Sequence, residues 1–297
     1  MSQAAQPALE QTTAVAEARK RAVPLSEKIG KLVLYALLIL SSLWMLLPFL
    51  WMLSSSLKTS VTVFEFPIRW IPAEPRWSNY VEIWRKIDFG LYYFNTIKLT
   101  VIITLAQLFT CSLAAYAFAK IDFPERNVLF LGYIATMIVP FQVVMIPQFI
   151  LMRHLGLVNT HASLILLQAF SPFGVFLMRQ YYLNIPNDLL EAARIDGLSE
   201  FGIYWRIMLP LSKPALSTLA ILTFVFVWND FLGPLIYLHS ARLRTIQLGI
   251  RMFISQYSAD YALIMAASVC SLIPVVIIFL LAQRYFVEGI SFSGLKG

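Results

Sequence analysis

Between residues 191 and 210 the chain reads EAARIDGLSEFGIYWRIMLP, a charge-mixed island between long apolar runs. Its chemistry is that of recognition. Glu191 offers a carboxylate to a basic partner residue, and the small Ala192 and Ala193 let another surface approach closely. Asp188 and Glu191 have the spacing of a capping box for a first short helix, and Gly197 is placed to end it. Leu189, Leu190, Ala192, Ala193 and Ile195 then form an apolar and small-residue surface. Ser199 can cap a second helix with Glu200 in its first turn, and Pro210 stops that helix after Ile207 and Leu209. A helix–turn–helix that only caps a bundle and one that docks a partner fit these residues equally well.

A second set of polar residues lies inside apolar sequence: Asn229 and Asp230, with Lys98, Gln107, Gln142 and Gln148. A carboxylate at membrane depth is costly and faces a cavity or a polar partner. A helix–helix contact is slightly the better account of Asp230; for Asn229 a substrate path fits equally. Tyr92, Tyr93, Phe170 and Phe173 have ring faces on which a sugar can stack, although interfacial aromatic girdles are the commoner use of such residues. Other chemistry is missing from the sequence. It has no G-x-x-x-x-G-K-[ST] loop, so the chain itself does not hydrolyse ATP. His154, His161 and His239 lack metal-ligand spacing, and no nucleophile is paired with a base.

The elements that position these residues follow from composition. Of 297 residues, 59% are hydrophobic and 13% charged, with a mean hydropathy of +0.72. A hydrocarbon core of about 30 Å needs roughly 20 apolar residues per helix. Six such stretches are expected at 32–53, 95–119, 127–152, 162–182, 214–238 and 261–283, inside a membrane domain of residues 31–284. Residues 1–30 form a leader and 285–297 a tail. A Pro- and Trp-rich loop follows the first span, and the island occupies the loop at 183–212. Pro140, Pro147 and Pro172 fall within spans, and broken spans suggest a lined cavity. Cys111 and Cys270 both lie within spans, so no disulfide framework is expected. The net charge of +7 is ordinary membrane-flanking charge. Its asymmetry favours an inside N-terminus only weakly, and no nucleic-acid partner is expected.

The spacing Glu191-Ala192-Ala193, Gly197, Ile207, Leu209-Pro210 resembles the EAA-x3-G-x9-I-x-L-P signature loop of permease subunits of bacterial ATP-binding-cassette (ABC) importers, at every position. The likeness extends over essentially the whole chain and narrows to the maltose-type, carbohydrate-uptake branch. It is carried there by SLKTSVTVFEFP at 56–67, NYVEIW at 79–84, AYAFAKIDFPERNVLF at 115–130, TMIVPFQVVMIPQFILMRHLGLVNT at 136–160 and VWNDFLGPLIY at 227–237. The closing RYFVEGISFSGLKG is similar to the tail of the second permease of such systems, with Glu288 and Phe292 departing from it.

The resemblance implies an all-α polytopic membrane protein with the type I ABC importer permease fold: six transmembrane helices and a cytoplasmic coupling helix–turn–helix. It implies a multi-pass protein of the bacterial inner membrane with both termini cytoplasmic. Glu191, Ala192, Ala193, Asp196, Gly197, Ile207, Leu209 and Pro210 would then contact an ATPase, and Ser293, Gly294, Lys296 and Gly297 would be further contacts in the tail. Asn229, Asp230, Gln107, Gln142 and Lys98 are candidates for the translocation path. The implied partners are a homologous second permease, two ATPase subunits that bind the ATP and Mg, an external solute-binding protein, and a sugar. The chain itself carries no cofactor. An ion-gradient-driven secondary transporter is the alternative; it calls for intramembrane acids in both halves, whereas only Asp230 is clearly within a span. Basic outer loops and Lys98 leave an acidic sugar, such as an alginate or pectin fragment, as a lesser alternative to a neutral oligosaccharide.

Overall fold

The computed structural model describes residues 25–254 and 259–291. Most of the leader, and Ser293, Gly294, Lys296 and Gly297 of the tail, lie outside the described residues. The chain divides into two compact units, Met1–Trp51 and Met52–Gly297. Residues 25–51 of helix α1 (Leu25–Ser56) are the described part of the first. Its side chains are exposed from residue 26 to 50, as suits a helix whose surroundings are hydrocarbon.

The second unit is built around α3 (Phe89–Lys120), whose 32 residues span about 48 Å at 1.5 Å per residue. Three apolar clusters follow one another along it. Phe89 packs with Ile83, Ile246 and Leu263 at one end; Leu99 and Ile103 meet Leu164, Val227 and Tyr237 midway; and Cys111, Ala115 and Tyr116 join Tyr182, Tyr204 and Met208 at the other end. Small residues let backbones approach across membrane helices. A Cβ at Gly174 would lie 2.8 Å from Cys111 Sγ and 3.1 Å from Leu219 Cδ1.

The remaining helices are α2 (Ser78–Lys86), α4 (Arg126–Ala135), α5 (Phe141–His154), α6 (His161–Gln168), α7 (Pro172–Leu183), α8 (Asp188–Ile195), α9 (Glu200–Leu211), α10 (Lys213–Trp228), α11 (Leu232–Tyr237), α12 (Ile246–Arg251) and α13 (Tyr261–Ser291). Ser26–Ser56, Phe89–Lys120, His161–Leu183 and Tyr261–Gln283 are each long and apolar enough to cross a membrane, and two bent pairs bring the possible crossings to six.

The spans expected at 127–152, 162–182 and 214–238 are interrupted, and each interruption has a local cause. The first bends by 101° between Ile138 and Phe141, because Val139, preceding Pro140, is held extended. The second breaks at Ala169–Ser171, where Ser171 Oγ accepts the Gly174 N–H at 3.1 Å and Pro172 opens the new helix. The third ends at Trp228 and resumes at Leu232, with Asp230 Oδ1 accepting the Gly233 N–H at 3.1 Å.

Candidate functional site

The island at 183–212 forms the two short helices α8 and α9, hinged at Gly197. Gly197 adopts φ +83°, and its N–H bonds Arg194 O while the Leu198 N–H reaches Ala193 O, both at 3.0 Å. This is the Schellman ending that a left-handed residue permits. The start of α8 differs from the capping-box expectation. Asn187 occupies the cap without a side-chain bond to the helix, and Asp188 and Glu191 lie in the first turn. The Asn187 Oδ1 that would have capped the helix instead accepts Lys120 Nζ at 2.7 Å. Ser199 caps α9 as expected, its Oγ accepting the Gly202 N–H at 3.2 Å.

Pro210 does not stop α9, which continues to Leu211 and turns by 78° into α10. Proline has no N–H and crowds the carbonyl four residues back. The helix accommodates it by widening to a π turn over Tyr204–Met208, with the Leu209 N–H reaching Tyr204 O.

The apolar surface expected of α8 is divided between two faces. Leu190 and Ala193, three residues apart, are buried in the cluster with Tyr116 and Tyr204. Leu189 and Ala192 face outward with Glu191, and Ile195 is 86% exposed. Phe201 and Trp205, one turn apart on α9 and stacked at 6.3 Å, are 59% and 56% exposed. An exposed acidic and apolar face of this kind suits a protein partner. The opposite face is tied to α3. Tyr116 Oη donates to Glu200 Oε2 at 2.6 Å, Arg194 Nε donates to Glu200 Oε1 at 2.8 Å, and Lys120 Nζ donates to Ile185 O at 2.6 Å. The Arg194 and Tyr116 hydrogen bonds hold the Glu200 carboxyl below its ordinary range against partial burial, and Glu200 in turn raises Arg194. Of the residues in this brace only Glu200 stood out in the sequence, and there as the first-turn acid of the second helix rather than as a partner of Tyr116 or Arg194. Arg194 and Glu200 are six residues apart on different helices, and no helical periodicity pairs them.

The second candidate region is a cavity of about 1080 Å³ among α5, α6, α7, α10 and α11. All three helix interruptions reach it, through Phe141 and Gln142, Phe170 and Ser171, and Asn229 to Phe231. Asn229 and Asp230 lie in its wall, but their roles differ. Asp230 is engaged in structure: Oδ2 accepts Gln168 Nε2 at 2.8 Å and Oδ1 accepts the Gly233 N–H. Asn229 is exposed, donating back to Val225 O at 2.8 Å. Gln107 is 7% exposed, and its amide is spent bridging Gln168 O at 2.7 Å and Thr223 Oγ1 at 2.9 Å. Gln142 and Gln148 line the space, whereas Lys98 is not among the lining residues. Phe170 and Phe173 line the cavity. Tyr92 and Tyr93 are packing residues, with Tyr93 edge-on to Trp228 at 5.5 Å. Gln168 and Tyr237 also line the cavity and carried no sequence signal, since a lone Gln or Tyr beside an apolar run reads as packing.

Among the described residues no group of three or more His, Cys, Asp or Glu side chains is arranged to hold a metal ion. The model of the binding-protein-dependent transport system inner membrane component matches residues 107–292, which include both the island and the cavity. The chain belongs to this family. Permeases of the family are not themselves enzymes, and the ion-gradient alternative is set aside. The permease is 39% identical over 222 residues, 74% of its own length and 79% of the relative's, to the arabinooligosaccharides transport system permease protein AraQ of Halalkalibacterium halodurans. It is 34% identical over 264 residues, 86% and 94% of the two lengths, to the sn-glycerol-3-phosphate transport system permease protein UgpE of Yersinia enterocolitica. A chain in the crystal structure of a bacterial ABC transporter involved in the import of the acidic polysaccharide alginate superposes with a TM-score of 0.78 at 27% identity, covering 90% of the permease and 100% of that chain. The permease therefore has the type I ABC importer fold and is a multi-pass component of the inner membrane.

Proposed function

We propose that this permease forms half of the translocation pathway for an oligosaccharide or related sugar, driven by a separate ATPase seated on the loop at 191–210. The observation that carries the reading is the two-faced geometry of α8 and α9. One face is exposed, acidic and apolar; the other is braced to α3, a single helix running the length of the bundle. A displacement applied to the exposed face is transmitted to the membrane helices through that brace.

In this reading the loop is cytoplasmic, as are both termini. Glu191, Ala192, Asp196 and Gly197 present the docking face. Ala193, Ile207, Leu209 and Pro210 shape and support it from behind. Two ATPase subunits bind ATP and Mg, a homologous second permease supplies the other half of the pathway, and an external solute-binding protein docks on the loops at 54–94 and 239–260. The tail residues Ser293, Gly294, Lys296 and Gly297 extend the ATPase contact. ATP binding closes the ATPases, the loop moves with them and the helices open outward; hydrolysis resets the inward-facing state. Coupling requires the two states to bind the ATPase dimer with different affinity. The named cargoes of the relatives, arabinooligosaccharides and alginate, support a carbohydrate.

The test is ATP-dependent uptake in proteoliposomes containing the four transporter subunits and the binding protein. Charge reversal by Glu191→Lys, or breaking the hinge by Gly197→Pro, is expected to lower uptake and ATPase stimulation while the binding protein keeps its sugar affinity. Undiminished uptake in both variants would overturn the docking role.

A further inference from the structure

The end of α3 nearest the island gathers two cations that the brace does not use. Arg179 on α7 donates from Nε to Phe118 O at 3.1 Å, and its guanidinium carbon lies 4.1 Å from the centre of the Phe130 ring on α4. Arg126 opens α4 and donates from Nη1 to Ile121 O at 3.1 Å and to Asp122 Oδ1 at 2.8 Å. Arg126 and Phe130 are four residues apart on one helix and share a face, so the two guanidiniums come to the same side of the turn at 121–125. Neighbouring Lys120 is held by Ile185 O and Asn187 Oδ1, which fixes this turn at the end of the bundle that carries the island.

Capping accounts for part of this arrangement, since cations satisfy the orphan carbonyls at a helix C-terminus. It does not account for the charge. Arg179 is half-buried, and among the described residues its partners are a carbonyl and a ring face, neither of them a carboxylate. The charge that acts on it is the like charge of Arg126. Arg126 does have Asp122, but that side chain is 96% exposed, and so exposed a pair is worth little and is screened by salt. Glu125, the other acid of the turn, is exposed as well. Two guanidiniums drawn partly out of water with one screened carboxylate between them lack a counter-anion, and such a charge is costly beside hydrocarbon.

What lies beside the pair is apolar. Val128, Leu129 and Leu131, in the first turns of α4, are exposed, and α4 opens one of the bent membrane crossings. Arginines at the end of a membrane helix with bare aliphatic side chains just beyond them match the layout of a phospholipid, charge at the headgroup and hydrocarbon below it. Guanidinium forks also match the oxygens of a phosphate. We propose that Arg126 and Arg179 together bind the phosphate of an anionic phospholipid, whose acyl chains lie along Val128, Leu129 and Leu131. The lipid supplies the missing counter-anion and holds the turn at 121–125, from whose edge Lys120 reaches the island. The proposal rests on the permease reading only in placing this turn, with the loop at 191–210, at the cytoplasmic leaflet.

The test uses the assembled transporter in phosphatidylcholine nanodiscs carrying a trace of phosphatidylglycerol or of phosphatidylcholine, each with a photoreactive acyl chain. Mass spectrometry maps the labelled peptides. Phosphatidylglycerol is expected to label the stretch Arg126–Ala135 at least about fivefold more than phosphatidylcholine, since each basic residue near an anionic headgroup is worth roughly that factor. The double variant Arg126→Gln/Arg179→Gln should lose the preference, and Arg126→Lys/Arg179→Lys, which keeps both charges, should retain most of it. Asp122→Asn, at a side chain in solvent, perturbs the fold least; it frees Arg126 and should raise the phosphatidylglycerol label about twofold. Labelling by the two lipids within about twofold of each other in the parent would overturn the proposal, and so would a preference that survives the double glutamine variant or falls in Asp122→Asn. A stretch labelled by neither lipid would give this face to another subunit and overturn it as well. Uptake that persists without ATP would instead overturn the ATPase-driven reading and leave the lipid labelling unchanged.

Discussion

The Tyr116 hydroxyl, near the end of α3, donates a 2.6 Å hydrogen bond to Glu200 in the first turn of α9. Glu200 also receives Arg194 from α8 at 2.8 Å. One carboxylate therefore joins both helices of the loop to a helix that runs the length of the bundle. Tyr116→Phe removes only the interhelical bond and leaves the Arg194–Glu200 pair. It is expected to lower transport several-fold per ATP hydrolysed while the ATPase still binds, because a hydrogen bond to a charged group is worth about 1.5–3 kcal/mol. Glu200→Gln should give a similar loss, and the double variant no more than either single one. Additive losses in the ratio of uptake to hydrolysis would refute a shared linkage.

The hinge at Gly197 makes a graded prediction. A Cβ there would meet no atom within 4 Å, so the cost of a side chain is entirely that of φ +83°. For a non-glycine residue this is of order 1–2 kcal/mol, and asparagine tolerates the region better than β-branched residues. Transport should fall in the order Gly197→Asn, Gly197→Ala, Gly197→Val. An equal loss in all three would point to a steric requirement that the hinge does not have.

The approach of α7 to α3 and α10 depends on Gly174. Gly174→Ala places a methyl 2.8 Å from Cys111 Sγ, an overpacking expected to cost about 1–3 kcal/mol. Cys111→Ala removes the sulfur and should recover part of the loss in the double variant. Thermal unfolding of the detergent-solubilised complex measures all three, and a double variant no more stable than Gly174→Ala would discount the contact.

At the other end of the bundle Asp260 accepts Ser60 Oγ, and Lys86 Nζ at 3.1 Å, drawing the 54–94 loop and the segment before α13 together. Partial burial pushes the Asp260 carboxyl up, but the Ser60 and Lys86 bonds and the Leu263 N–H outweigh it and hold the group below its ordinary value. A carboxyl whose folded pKa is depressed stabilises the fold fully above its unfolded pKa and loses that contribution as pH falls through the folded value. The contact should therefore be constant through neutral pH and weaken only below about pH 4, the ordinary aspartate range. Asp260→Asn should flatten this acid limb in a pH series of binding-protein docking. A midpoint near pH 6 would assign the dependence to another group.

The sequence by itself determined the all-helical membrane class, the two short helices of the island, the Gly197 hinge and the family. Each rests on local order: runs of apolar residues, cap and hinge residues, and fixed spacing within 20 consecutive positions. Only the tertiary structure decided the rest. It split Leu190 and Ala193 from Leu189 and Ala192, because a helix face acquires an inside only when Tyr116 and Tyr204 pack against it. It placed Pro210 within the last turn of α9, after a π turn over Tyr204–Met208, rather than just beyond the helix end. It also spent Gln107 on a bridge and left Lys98 off the cavity wall. Tyr116 and Glu200 gained their link across 84 residues, and Gln168 its bond to Asp230 across 62. Hydrogen bonds between distant segments depend on how the helices cross, which no local spacing encodes.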